Sequence, residues 1–146
     1  MKAITLTQPW ATLVAAGAKQ IETRSWSTPY RGPLAIHAAA GLAPVGGRRG
    51  LQHMCQTPPF CRALAAAGIA VAEMDKVPLP FGAVLAIVEL YDIQPIVKLV
   101  RSISVQERAF GDYSAGRYGW LLRNVQMLPA PMAAKGALSL WEWEPA

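Results

Sequence analysis

The segment Ala83-Val84-Leu85-Ala86-Ile87-Val88-Glu89-Leu90-Tyr91 is almost unbroken in apolar and β-branched side chains. A short run of this kind, bounded by Pro78, Pro80 and Gly82 upstream, reads as a strand buried on both faces, hence a central one. The rest of the chain arranges itself around that strand. Downstream, Tyr118 to Val125 and Ala137 to Trp143 supply two further strands. In the last, Leu138, Leu140 and Glu142 alternate with Ser139, Trp141 and Trp143. Gly111, Gly116 and Gly119 read as turn residues between them.

Upstream, Ala3 to Thr7 alternates as a short strand and ends at Gln8-Pro9. Proline suits the first turn of a helix, and Trp10, Leu13 and Val14 follow at helical spacing. Gly17 ends that helix, because glycine takes left-handed dihedrals at little cost. A strand from about Gln20 to Ser27 leads through the turn Thr28-Pro29-Tyr30-Arg31-Gly32 into a strand at Pro33 to His37. From Gly41 to Pro59 the glycines and prolines predict a surface loop, and Phe60 to Ala67 predicts an alanine-rich helix closed by Gly68. Several strands with few short helices predict a mostly β (α+β) fold, a small β-barrel with peripheral short helices. The whole, residues 1–146, reads as one domain with a loop-and-helix insertion at about 41–77.

The totals agree. A chain of 146 residues buries roughly two-thirds of its unfolded surface. At 53% hydrophobic and 16% charged it has the composition of a globular protein. No apolar run approaches the roughly 20 residues that cross a bilayer. Lys2, the apolar run Trp10 to Ala18 and Ala16-Gly17-Ala18 imitate an export signal, but Gln8-Pro9 interrupts its approach. A cytoplasmic location without membrane association is expected. Cys55 and Cys61 form no disulfide framework, and with His53 they lack the spacing of a structural zinc site. No metal and no cofactor is expected. The formal charge of +5 favours a polyanionic partner.

Chemistry concentrates in Gly17-Ala18-Lys19-Gln20-Ile21-Glu22-Thr23-Arg24-Ser25-Trp26. On a strand, Gln20, Glu22, Arg24 and Trp26 share one face, while Ile21, Thr23 and Ser25 share the other. A carboxylate, a guanidinium and an indole then stand in a row, with the Lys19 ammonium where helix turns into strand. These groups suit phosphate and base recognition. A Glu22–Arg24 pair on a solvated face, with Trp26 in the core, is the plainer alternative. Tyr30 and Arg31 add a ring and a cation in the adjoining turn, where Arg31 either enters the same groove or caps the turn. Arg48 and Arg49, on the glycine-rich loop, are either a phosphate clamp or a solvated loop. His37 lies among apolar neighbours and reads as a hydrogen-bonded core histidine. Trp120, Trp141 and Trp143 read as barrel packing.

These residues resemble the ASCH family, a branch of the PUA-like β-barrels. The segment LTQPWATLVAAGAKQIETRSWSTPYRGPLAIHAA is similar to its N-terminal signature, whose core G-x-K-x-x-E-x-R falls here on Gly17, Lys19, Glu22 and Arg24. PLPFGAVLAIVELYDI resembles the family's central strand, and FGDYSAGRYGWLLRNVQMLPAPMAAKGALSLWEWE its C-terminal half in bacterial and phage members. Ser139 stands where relatives often carry glycine. The resemblance implies a PUA-like barrel with a basic cleft around the motif, binding RNA or a nucleotide through Lys19, Arg24, Trp26, Tyr30, Arg31, Arg48 and Arg49. A protein partner on the 41–77 insertion is a further expectation.

Some relatives are reported ribonucleases or deacylate acetylated cytidine, so the alternative implied is a metal-independent hydrolase acting through Lys19, Glu22 and Glu89. In the deacylating branch, lysine activates a threonine in K-x-x-T. Here that position is Glu22, which has no hydroxyl to serve as nucleophile, and Thr23 is expected on the opposite face.

Overall fold

The computed structural model describes residues 1–70 and 78–145. Its strands are β1 (Lys2–Leu6), β2 (Ile21–Arg24), β3 (Gly32–Ala38), β4 (Ala83–Pro95), β5 (Tyr118–Ala133) and β6 (Trp141–Glu142). The helices are α1 (Trp10–Ala15), α2 (Gly47–Cys55), α3 (Phe60–Ala66), α4 (Ile96–Leu99) and α5 (Val105–Ala109), with a 3-10 turn at Ala43–Val45. The strands form one six-stranded sheet in the order β2-β5-β4-β3-β1-β6, parallel between β1 and β3 and antiparallel elsewhere. The apolar run at Ala83 is central, as its composition requires, between β3 and β5.

The sheet curls. Arg24, on the first strand of that order, reaches the carbonyl of Thr5 on the fifth, donating from Nη2 at 2.9 Å. A seam between β2 and β1 therefore closes through side chains, and among the described residues no backbone ladder joins the two strands. Inside the curl lie Ile4, Leu6, Leu34, Ile36, Val88, Leu90 and the wholly buried Trp120. Trp143 packs with Ala3, Ala35 and Val84, so the C-terminal tryptophans belong to the core as their alternation indicates.

Three local readings are corrected. Residues 41–59 are not a plain loop: α2 follows the 3-10 turn and buries Leu51 and Cys55 against Leu13, Leu64 and Phe110. The glycines that suggested a loop instead permit a tight junction. Gly46 and Gly47 have φ of +82° and +72°, and a Cβ on Gly50 would lie 1.7 Å from the Val45 carbonyl oxygen. Gly119 sits within β5, where a Cβ would meet Leu99 Cδ1 at 2.4 Å, so the side chains of α4 pack close against the strand at this position. The final strand shortens to Trp141–Glu142 because Ser139 takes φ +58°, the left-handed region that favours glycine. The part of the insertion at 71–77 lies outside the described residues.

Candidate functional site

At the seam is a cleft of about 460 Å³, lined on one side by Thr5, Leu6 and Thr7 of β1 and its exit, with Trp10. Glu22, Thr23 and Arg24 of β2 line the other side, and Ala109 to Asp112 with Arg117 close the third. The local sequence sets this up. Gln8, fully buried, bonds Thr12 through both amide ends and reaches the Pro80 carbonyl, fixing the entry to α1. Gly17, at φ +79°, turns the chain back, and the Lys19 amide donates to the Leu13 carbonyl at 3.0 Å. The motif thereby enters β2 directly under the seam.

Glu22 lies between two cations. Arg24 Nη2 is 3.1 Å from its Oε2, Lys19 Nζ is 3.6 Å from its Oε1, and the Thr23 amide donates to the same Oε1 at 3.2 Å. The three charged groups of the motif do converge, but at different depths. Glu22 and Arg24 border the cleft, whereas the Lys19 side chain is fully buried behind them and its ammonium donates to the Ile21 carbonyl. Burial pulls the Lys19 ammonium below its ordinary value, against the opposing attraction of Glu22 and Glu107. Between that lowered value and 10.5, the unfolded chain holds a proton that the folded chain has released, so stability contributed by this group rises with pH. In urea titrations at pH 8 and pH 10.5, the wild type should therefore gain stability relative to Lys19→Met at the higher pH. A pH-independent difference between the two proteins would refute this.

Other predicted residues lie elsewhere. Strand β2 ends at Arg24, so the expected alternation does not carry Trp26 into the row. Trp26 instead packs edge-on against Trp120, with ring centroids 4.8 Å apart, and its carbonyl accepts from Trp120 Nε1. Tyr30 packs on the same core and donates its hydroxyl to the Pro33 carbonyl. Arg31 caps the turn, donating to the carbonyls of Thr28 and Tyr30. Arg48 and Arg49 are exposed on α2, outside the cleft lining.

Glu89 also stands outside that lining, beside an irregularity in the β4–β5 register where two consecutive β5 residues reach it. Arg123 grips both its oxygens at 2.9 and 3.2 Å, and Asn124, at φ +53°, donates at 2.7 Å. The Arg123 hydrogen bond holds the Glu89 carboxyl below the usual carboxylate range. Thr23, expected to face away, borders the cleft, and its Oγ1 accepts from the Asp112 amide at 3.2 Å.

Four contributors escaped the sequence reading. Trp10 read only as a helix residue, yet it forms part of the wall, backed by Phe60 at 6.4 Å and 80°, which in turn packs on Phe110 at 5.0 Å. The insertion thus buttresses the cleft. Asp112 and Arg117 come from the connection into β5 and carry no motif. Glu107 was legible only as the far end of Ser104-x-x-Glu107, a capping-box spacing. Ser104 does cap α5, accepting from the Glu107 amide at 3.0 Å. The carboxylate, however, turns to the free edge of β2, accepting from the amides of Gln20 at 3.1 Å and Ile21 at 2.9 Å.

Among the described residues, no group of three His, Cys, Asp or Glu side chains is arranged to hold a metal ion, and no helix is long and apolar enough to cross a membrane.

Comparison with known proteins identifies a family for the chain. The ASCH domain family matches residues 4–130. A stretch of 41 residues is 51% identical to activating signal cointegrator 1 of Mus musculus, covering 28% of this chain and 7% of that protein. The Homo sapiens protein of the same name is 58% identical over 33 residues, 23% of this chain and 6% of its own length. The shared region is thus a small fraction of those relatives. Among solved structures, ASCH from Zymomonas mobilis superposes with a TM-score of 0.54 at 16% identity, covering 98% of this chain and 87% of that one. A point mutant of it gives 0.54 and 16%, with 98% and 89% covered. At that identity the likeness establishes the shared PUA-like fold alone.

Proposed function

The chain belongs to the ASCH domain family, and we propose that it binds RNA or a nucleotide in the seam cleft beside Glu22 and Arg24. The observation that carries this reading is the joint placement of the motif's acid and guanidinium on a hollow of about 460 Å³, within the size range of small-ligand pockets. Trp10 supports it as an aromatic surface on which a base stacks, a role that Trp26 and Tyr30, packed on the core, fill less well. The net charge of +5 supports association with a polyanion.

A metal-independent hydrolase acting on RNA or a modified nucleoside is the second reading. Binding is favoured over turnover because both Glu22 oxygens already have cationic partners, Lys19 lies behind the cleft wall, and Glu89 is engaged by Arg123 and Asn124. Intact substrate after prolonged incubation with RNA and acylated nucleosides is the expected result.

The direct test is Arg24→Gln, with short single-stranded RNA at several salt concentrations. Affinity at low salt should fall about tenfold or more, the effect of losing one hydrogen-bonded charge. The slope of log K against log salt should become shallower by about 1. An unchanged affinity and slope in a folded variant would remove the basis of the reading.

A further inference from the structure

The polar groups of this structure are well satisfied, with four exceptions among the described residues. The buried side-chain atoms without a hydrogen-bond partner are Trp10 Nε1, Arg24 Nε, Tyr113 Oη and Arg117 Nε. Such groups are rare in folded proteins, and each calls for an explanation. All four gather at one place, and one explanation covers the three that line the cleft. Trp10, Arg24 and Arg117 line the seam cleft, and Tyr113 lies beside it, its ring 3.0 Å from where a Cβ of the cleft residue Gly111 would be.

The three in the cleft lining, one indole and two guanidinium N–H groups, are donors only, while the Tyr113 hydroxyl both donates and accepts. The base edge of a nucleotide presents donors and acceptors side by side, whereas the oxygens of a phosphate accept only. The two acids at the cleft are already engaged. Glu22 takes Arg24, Lys19 and the Thr23 amide, while Asp112 takes the amide and hydroxyl of Ser114 at 3.0 and 2.6 Å.

The two guanidiniums are held alike. Arg24 is anchored through Nη2 to the Thr5 carbonyl, 2.9 Å, and to Glu22. Arg117 is anchored through Nη2 to the Thr23 carbonyl, 3.2 Å, with Asp112 Oδ2 at 3.5 Å from its Nε in an ion-pair contact that makes no hydrogen bond. Each is fixed by backbone on one of the two strands that border the seam, β1 for Arg24 and β2 for Arg117.

We propose that the cleft seats a phosphate group between Arg24 and Arg117, with the Trp10 indole N–H as a third donor. This rests on the reading of the cleft as a nucleotide site and extends it to residues outside the family motif. The phosphate is either a backbone phosphodiester or that of a free nucleotide, which present the same acceptors to these donors. A fork of planar guanidiniums matches phosphate geometry, and Trp10 N–H adds direction without charge.

The test uses the full chain and four probes: inorganic phosphate, a 5′-mononucleotide, its nucleoside, and a trinucleotide with internal phosphodiesters only. The Trp10 indole N–H resonance should shift on titration with inorganic phosphate, and the mononucleotide or the trinucleotide should bind at least about tenfold tighter than the nucleoside. Arg117→Gln should lower phosphate-dependent affinity about tenfold or more, and Trp10→Phe, which keeps a ring and removes only the N–H, by about threefold. Arg117→Lys, retaining charge but losing the fork, should fall between Arg117→Gln and the wild type. A mononucleotide that matches the trinucleotide identifies the free nucleotide as source, and a tighter trinucleotide identifies the strand. Equal binding of nucleoside and nucleotide overturns the proposal. So does Arg117→Gln with unaltered affinity where Arg24→Gln loses it, and in that case the cleft remains the ligand site. If both arginine variants bind RNA like the wild type, the cleft reading and this proposal fall together.

Discussion

Glu107→Ala should destabilise the protein by about 3–5 kcal/mol, the range for removing one member of a buried charged and hydrogen-bonded set. Glu107 is 8% exposed, and its carboxylate is the acceptor for the amides of Gln20 and Ile21, on the edge of β2 that faces away from β5. Alanine leaves those donors without a partner, each costing about 1–3 kcal/mol where water cannot reach. It also removes one of the two carboxylates whose field opposes the desolvation of the Lys19 ammonium. Glu107→Gln keeps an acceptor in the same place and should recover part of the loss. Urea unfolding of the three proteins measures this, and an alanine variant within about 0.5 kcal/mol of wild type, the range of ordinary surface substitutions, would contradict it. The cleft should be affected as well, since the segment Glu107 to Arg117 is fastened to β2 by this carboxylate, by the Asp112 amide on Thr23 Oγ1 and by Arg117 on the Thr23 carbonyl.

Trp120→Ala should cost a similar amount, about 3–5 kcal/mol, for a different reason. Trp120 is fully buried in the main core, lies opposite Glu22 in the β2–β5 ladder, and packs edge-on against Trp26. Its removal leaves a cavity and strips the Trp26 carbonyl of its donor at 3.2 Å. Trp26→Ala should likewise lower stability through the same packing while leaving RNA affinity at the wild-type level in the folded fraction. Differential scanning calorimetry and binding assays on the two variants separate these effects. A stable Trp26→Ala protein with lost RNA affinity would restore Trp26 to the binding surface and count against the placement of the aromatic wall at Trp10.

Much of the fold was legible because it depends on local pattern. The run Ala83 to Tyr91 is rich in apolar residues and lies between two strands as that composition indicates. It is covered on one face only beyond Ala86, since Ile87 and Glu89 are half-buried and Tyr91 is exposed. Pro9 and Gly17 bracket a short helix because one fixes φ and the other accepts a positive one. The tryptophans near the C-terminus announced packing through their alternation. The loop expected at 41–59 misread its glycines. Gly50 is required because the Val45 carbonyl approaches it, a contact between neighbours in space that composition does not reveal.

The site was legible only in part. Glu22 and Arg24 share a strand face, and two-residue periodicity suffices to put them together. Lys19 precedes the strand, where strand periodicity does not apply, and its full burial is set by tertiary contacts. Trp26 left the row because β2 stops after Arg24, two residues sooner than the alternation required. Thr23 also lines the cleft, although alternation sets it on the face opposite Glu22, and its Oγ1 takes the Asp112 amide from the connection into β5. Glu107, Asp112 and Arg117 lie 85 or more positions from Glu22 in sequence, and they meet β2 and its entry through a few hydrogen bonds, from the Glu107 carboxylate, the Asp112 amide and the Arg117 guanidinium, with no periodic signal.

The order of residues alone thus determined which segments extend, which coil and which carry the charged motif, since these follow from dihedral preference and the side-chain repeat of a strand. Tertiary structure decided that the sheet leaves a seam between β2 and β1. It also decided that one lysine is sealed behind that seam and that donors from three separate segments surround it. Those outcomes depend on the curl of the sheet, which brings together groups that no local pattern relates.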